Sequence, residues 1–316
     1  MSDQLVTMEH VSKYFGDKKK PVCAVNDVSL SIFEGETLGL VGESGCGKST
    51  TGNMLVNLNH ADSGTIRYKG QDITHMKENE FRKFRGEIQM VFQDPYSSIN
   101  PLKKIGWLLE EPLLIHHNEM NKGERQKKVD EMLEVVGLDE SYKNRYPRHL
   151  SGGQRQRVCI ALALILNPVF VVADEPVSAL DVSVQAQILN LMKTLQKEFH
   201  LTYLFISHNL NVVSYMSDRI AVMYLGNIVE IGSEEEISHH ACHPYTQALF
   251  SASSEGLEEK KRIVLEGDVP SPSNPPQGCP FHTRCFRCEK KCKEIKPELK
   301  EVSSGWKVAC HNPKEI

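Results

Sequence analysis

Apolar and polar positions along this chain follow two rhythms, one of strands and one of helices. Residues 5–40 carry strand-like apolar content, with β-type runs at 22–25 and 28–33 and a turn at Glu34-Gly35-Glu36. Thr37–Val41 is a short apolar strand that runs into Gly42, and residues 48–58 read as helix. Residues 96–150 are polar and mostly helical, without strong strand signals, as in an inserted subdomain. Residues 169–173 form a continuous apolar run ending in Asp174-Glu175, the pattern of a strand buried on both faces. Residues 185–199 have the spacing of an amphipathic helix, and 201–206 form another buried strand before Ser207-His208. This alternation predicts an α/β fold with a parallel sheet and ligands at the strand C-terminal ends. After about residue 235 the character changes, and residues 252–278 are charged, then rich in proline and serine, which reads as a linker.

The 316 residues are 25% charged and 40% hydrophobic with a net charge of −4, enough for one large or two modest domains with a real core. Mild acidity gives no reason to expect a nucleic-acid partner. The most apolar stretch, 158–173, is broken by Asn167-Pro168 and is too short to cross a bilayer. The first ten residues are polar rather than leader-like, so a soluble, cytoplasmic chain is expected, with any membrane role supplied by a partner. Five of the nine cysteines (Cys279, Cys285, Cys288, Cys292, Cys310) fall in the last 38 residues. In a reducing compartment such clustering points to metal ligands more than to disulfides.

Gly42-Glu43-Ser44-Gly45-Cys46-Gly47-Lys48-Ser49-Thr50 fits a phosphate loop placed between a strand and a helix. Its glycines let backbone N–H groups wrap phosphates, Lys48 is expected to reach the β and γ phosphates, and Ser49 to ligate Mg²⁺. Cys46 reads as a filler rather than a reactive thiol. Asp174 ends a buried strand and is expected to hold Mg²⁺, directly or through water, while Glu175 polarises the attacking water. Gln93, after another apolar run, can contact Mg²⁺ or water, and His208 can hydrogen-bond the γ-phosphate. In Leu150-Ser151-Gly152-Gly153-Gln154, Ser151 is a candidate N-cap and the two glycines leave the backbone open to a ligand. That makes a second anion site at a helix N-terminus, so two surfaces are expected to share one nucleotide. Asp181, after Ser178-Ala179-Leu180, is a candidate cap of the next helix with a compatible role in subunit communication.

With these motifs in this order, residues 5–235 resemble the ATP-binding subunits of ABC transporters. The resemblance implies a P-loop NTPase cassette: a RecA-like parallel-sheet core, an N-terminal antiparallel β subdomain and an inserted helical subdomain at about 96–150. It implies a head-to-tail dimer with two ATP molecules at the interface, each held by one subunit's phosphate loop and the other's LSGGQ segment. Phe15 best matches the aromatic that stacks on adenine, with Tyr14 the alternative. His243-Pro244-Tyr245-Thr246-Gln247-Ala248-Leu249, the proline-rich linker and Gly278-Cys279-Pro280-Phe281-His282-Thr283-Arg284-Cys285 look like the C-terminal extension of oligopeptide and dipeptide importers. The expected domains are therefore a cassette over 1–250 and a linker with a small cysteine-rich extension over 251–316.

Further implications come from the resemblance. The chain would be the second ATPase of an importer, working with a sister ATPase, two integral membrane permease subunits and, indirectly, an extracellular peptide-binding protein. It would lie on the cytoplasmic face of the membrane and bind no nucleic acid. Cys279, Cys285, Cys292 and Cys310 would hold a [4Fe–4S] cluster or Zn²⁺, with Cys288 a possible substitute ligand. His239-His240-x-Cys242-His243 overlaps the His-Pro-Tyr segment and reads as structural. Lys18-Lys19-Lys20 reads as a solvated loop. Nickel-chelate and glutathione importers share closely similar ATPases, and a soluble ABC ATPase outside transport is the remaining alternative.

Overall fold

The computed structural model describes residues 3–17, 21–252 and 263–314. Lys18–Lys20 and residues 253–262 of the expected linker lie outside the described residues. In chain order, β1 (Gln4–Phe15), β2 (Val22–Phe33) and β3 (Thr37–Val41) precede α1 (Lys48–Leu55). They are followed by β4 (Ser63–Tyr68), β5 (Gln71–Asp72), α2 (Glu78–Phe81) and β6 (Ile88–Val91). The middle of the chain holds α3 (Ile105–His116), α4 (Lys122–Val135), α5 (Gly152–Leu164), β7 (Phe170–Asp174), α6 (Val182–Phe199) and β8 (Thr202–Ile206). The remainder comprises α7 (Leu210–Met216), β9 (Arg219–Tyr224), β10 (Asn227–Ser233), α8 (Glu234–His240) and α9 (Pro244–Ser251). It closes with α10 (Lys290–Glu294), β11 (Lys300–Ser303) and β12 (Trp306–Val308). These elements fall into two compact units, Met1–Met76 with Phe205–Ile316, and Lys77–Leu204.

In the first unit, β2, β1, β4 and β5 form an antiparallel sheet in that order. Along β2 the buried positions alternate through Val28, Leu30 and Ile32, and Val25 is buried out of step across the left-handed Asp27. A second sheet runs β11-β12-β10-β9-β3. Here β3 pairs parallel with β9, and every residue of β3 is buried, as its unbroken apolar run requires. The cysteine-rich tail belongs to this unit, because β12 pairs antiparallel with β10 at Glu230↔Val308 and Ile231↔Lys307. Glu230 is fully buried and is satisfied by the backbone N–H groups of Cys242 (2.7 Å) and His243 (3.0 Å) and by Trp306 Nε1 (3.0 Å). One carboxylate thus ties β10, the start of α9 and the β11–β12 hairpin together.

In the second unit, β6 and β7 pair parallel with Val91 opposite Ala173, and β8 lies beside β7. The helical region expected at 96–150 is present as α3 and α4, which pack around Leu109, Leu113, Val129 and Leu133. Asn121 and Glu124 cap α4 reciprocally. Among the described residues no helix is long and apolar enough to cross a membrane.

Three sequence expectations shift. The runs at 22–25 and 28–33 are one strand, β2, with Asp27 in a left-handed conformation (φ 57°) inside it. The helix expected to 58 ends at Leu55, because Asn57 turns left-handed (φ 56°) and Leu58 N–H bonds back to Asn53 O. Strands β11 and β12 were not expected at all.

The His243 ring is buried, and its Nδ1 accepts the Tyr245 N–H at 3.1 Å, which requires a neutral imidazole. Burial pushes its pKa down from 6.5 to about 3. The unfolded chain takes up this proton below about pH 6.5 and the folded chain does not. The stability is therefore present above pH 6.5 and is lost as pH falls toward 3. We expect the chain to lose about 2 kcal/mol at pH 5 from this group. His243→Asn, which keeps a capping acceptor, should remove that part of the loss in denaturant titrations at pH 7 and pH 5. Equal losses in both chains would contradict this.

Candidate functional site

In the first unit, β3 delivers the chain to the phosphate loop. Gly42, Gly45 and Gly47 have φ of 155°, 77° and 108°, which favour glycine. A Cβ on Gly42 would lie 2.1 Å from Met223 O, and one on Gly47 would lie 2.1 Å from Ala24 O. Cys46 N–H bonds to Glu43 O (3.3 Å) and Gly226 N–H to Cys46 O (2.9 Å), so the loop rests on the β9–β10 turn. Lys48 Nζ donates to Gly42 O (2.7 Å) and Glu43 O (3.1 Å). Gly47 is the N-cap of α1 and offers no side-chain acceptor, so the positive end of the helix opens directly from the loop, where an anion is favoured. Cys46 is buried and its thiol pKa is pushed up by that burial, which fits the filler reading.

Phe15 ends β1, is 41% exposed and lies 5.4 Å from Lys13 Nζ. Tyr14 is equally exposed, and its N–H is bound by Asp62 at 2.7 Å. His208 follows β8 on an exposed turn in which Asn209 N–H bonds to Ser207 Oγ at 3.0 Å.

The second unit holds the carboxylates. Parallel pairing of β6 and β7 places Val91 opposite Ala173, so two residues further on Gln93 meets Glu175. Gln93 Nε2 donates to Glu175 Oε2 at 3.0 Å. Asp174 is 5% exposed at the end of β7. Glu175 has φ of 46°, an unfavourable conformation for a side-chain-bearing residue, and the Ser178 N–H and hydroxyl hold its carbonyl at 3.2 and 3.1 Å. Asp181 takes the N-cap backbone conformation at α6 without a side-chain cap bond, so the expected capping is one of backbone alone.

The same unit carries the LSGGQ turn. Ser151 Oγ accepts Gln154 N–H (3.3 Å), and Gln154 Oε1 accepts Ser151 N–H (3.0 Å), a reciprocal capping box. Gln154 Nε2 continues to Tyr142 Oη at 2.9 Å. The cap uses one lone pair of Ser151 and leaves its hydroxyl proton, with the N–H groups of Gly152 and Gly153, to face an anion. A Cβ on Gly153 would lie 2.6 Å from Val184 Cγ1. A cavity of about 490 Å³ opens here, lined by Gly137, Tyr142, Ser151, Gly153, Gln154 and Arg157.

Two residues that contact the phosphate loop were not recognised from sequence. Glu43 N–H donates to Tyr245 Oη (3.0 Å), and Arg284 Nη1 donates to both Glu43 carboxylate oxygens (2.9 and 3.2 Å). No local signal could reveal a pair 241 residues apart. All nine cysteines are free thiols. Burial pushes the Cys279 thiol pKa up, the Phe281 N–H that its Sγ accepts opposes the rise, and the nearby thiols of Cys292, Cys310 and Cys285 add to it. Cys285 and Cys310 accept the N–H of Arg287 and Asn312 in the same way, both at 3.4 Å. Cys288 instead donates to Glu289 O at 3.6 Å. Among the described residues no group of three or more His, Cys, Asp or Glu side chains has metal-binding placement.

A phosphate loop opening an uncapped helix, a second glycine-rich helix start and a Gln–Glu pair at adjacent strand ends define an ATP-hydrolysing cassette. The chain belongs to the ABC transporter family, whose model matches residues 25–178, and the oligopeptide/dipeptide transporter C-terminal region matches residues 229–292. It is 50% identical to the oligopeptide transport ATP-binding protein AppF of Bacillus subtilis, covering 98% of this chain and 97% of that one. It is 47% identical to OppF of Salmonella typhimurium over 94% of this chain and 90% of that one. Among solved structures, the ATP-binding cassette MJ0796, a dimer in a post-hydrolysis state bound to ADP and phosphate, is 32% identical with a TM-score of 0.67. That likeness covers 72% of this chain and 98% of the other.

Two alanine substitutions separate crowding from backbone strain. Gly45→Ala meets nothing within 4 Å and should weaken ATP binding on the order of tenfold through left-handed strain of about 1–2 kcal/mol. Gly42→Ala must displace the Met223 carbonyl and should abolish measurable binding by equilibrium titration. The opposite order would contradict this geometry.

Proposed function

We propose that this chain is the ATP-hydrolysing motor of an importer for oligopeptides or dipeptides. It pairs with a sister cassette and drives two integral membrane permease subunits, which an extracellular peptide-binding protein supplies. The chain sits on the cytoplasmic side, peripheral to the membrane, and residues 96–150 carry the surface that grips the permeases. Peptide as cargo follows from AppF and OppF, which the chain matches through its tail as well as its cassette. The observation that carries the motor reading is the turn at Ser151, a helix start built for an anion in a chain that already has a phosphate loop. Each ATP is then held by one cassette's loop and the other's Ser151 turn, and ATP binding closes the pair.

The roles divide by chemistry. Gly42 and Ser44 to Thr50 wrap the phosphates, and Phe15 stacks on adenine. Ser49, Asp174 and Gln93 hold Mg²⁺, which neutralises phosphate charge when bound. Glu175 takes the proton of the attacking water, with Gln93 orienting its carboxylate, and His208 contacts the γ-phosphate. Ser151, Gly152, Gly153 and Gln154 serve the partner's nucleotide, and Asp181 relays between subunits.

The four thiols Cys279, Cys285, Cys292 and Cys310 fit a metal chemically. Burial pushes the thiol pKa of Cys279, Cys285 and Cys310 up, and in each the N–H of the residue two positions on opposes that rise, as a bound cation would. We assign them to a [4Fe–4S] cluster, with Zn²⁺ as the alternative. Iron and sulfide assay with visible absorption after anaerobic purification should give both elements; equimolar zinc without iron selects the alternative, and no metal overturns the assignment.

Glu175→Gln should bind ATP with near wild-type affinity while turnover falls on the order of 10²–10⁴-fold, the usual contribution of a general base. Hydrolysis at close to the wild-type rate would remove Glu175 from that role.

A further inference from the structure

The cysteine-rich tail grips the phosphate loop through Glu43. Its backbone N–H is bound by Tyr245 Oη (3.0 Å), and its carboxylate is spanned by Arg284 Nη1 (2.9 and 3.2 Å). Both tail residues are themselves fixed. Tyr245 is fully buried at the start of α9, with its ring 4.7 Å from Tyr224 and 5.3 Å from Phe281. Arg284 closes a single helical turn, His282–Arg284, between Cys279 and Cys285, and its side chain is 9% exposed. Glu43 is 28% exposed, so the pair is partly shielded from solvent.

This contact falls at a mechanically sensitive point. Glu43 stands between Gly42 and Ser44, at the root of a segment whose glycines give it wide conformational freedom. The chain reaches the later N–H groups of the loop through that root, so fixing it narrows the positions they can take. Tyr245 occupies the Glu43 N–H and Arg284 its side chain, and neither takes a donor from residues 44–49 in doing so.

We propose that Arg284 and Tyr245 are positioning residues for ATP binding: the tail orders the phosphate loop in advance, so that less of the binding free energy goes into ordering it. The inference rests on the reading of residues 42–49 as the ATP site. It separates two kinetic quantities. Because neither residue touches the reacting atoms, removing the grip raises the Kd and KM for ATP and leaves kcat at saturation nearly unchanged.

The test uses the full chain with a fluorescent ATP analogue, together with steady-state hydrolysis of the assembled transporter. Arg284→Gln and Glu43→Gln should each raise Kd and KM by about three- to tenfold, with kcat within about twofold. The double variant should be no weaker than either single one, because each removes the same contact. Tyr245→Phe, which deletes only the hydroxyl, should raise Kd in the same direction. If Arg284→Gln fails to fold, the more exposed Glu43→Gln gives the reading alone. A lowered melting temperature with unchanged Kd, or additive effects in the double variant, overturns the proposal. A wild-type chain that binds no ATP overturns the site reading and the proposal with it. Wild-type binding with equal binding in the variants overturns only the proposal.

Discussion

The phosphate loop is packed by backbone against backbone, and much of the first unit is arranged around that constraint. No side chain fits at Gly42 or Gly47, because carbonyl oxygens of Met223 and Ala24 occupy the space a Cβ would need. The turn between β9 and β10 meets the loop at Cys46 O, and both of its residues, Leu225 and Gly226, have positive φ (43° and 77°). That is the conformation of the tight hairpin turn favoured by strand twist. Gly226 O in turn accepts the Asn26 N–H, which joins β2 to the same point. Strand β3, the hairpin and β2 therefore share one small region of close contact with the loop at its centre.

Two helices in the chain start at glycine-rich turns, and the chain treats them differently. Helix α1 begins at Gly47 with no side-chain cap, so its positive end opens directly from the phosphate loop. Helix α5 begins at Ser151 with a complete capping box, so much of its hydrogen-bonding demand is met within the chain. The first arrangement suits a site that must bind a whole phosphate chain tightly. The second suits a surface that adds a hydroxyl and a few N–H groups to a nucleotide already bound elsewhere. That difference fits the proposed sharing of one nucleotide between two cassettes.

Much of this was legible in the sequence. The apolar runs into Gly42 and Asp174 gave buried strands, and Ser151 gave the N-cap, because these depend on neighbours close in the chain. The Gln93–Glu175 contact was within reach once parallel strands were expected, since register does the rest. What escaped was long-range. Strands β11 and β12 are too short to signal themselves, and they become strands only because β12 pairs with β10 and β11 with β12. Glu230 reads as an ordinary surface charge until three donors from distant segments converge on it. Asp181 shows the converse: its local pattern promised a side-chain cap, and the helix begins without one.

The tail changes how the cassette is understood. Residues that the sequence presented as an appendage extend the sheet beside β10 and hold Glu43 at the root of the loop. The nucleotide site is thus shaped from one side by the chain's own C-terminal region and, in the proposed assembly, completed from the other by a second cassette. The most direct test is the ATPase rate per chain, measured against the concentration of this cassette and of its sister, starting from dilutions at which each is monomeric. A nucleotide shared between cassettes predicts a rate per chain that climbs with concentration to a plateau. A full rate from the isolated monomer, independent of concentration, would contradict it.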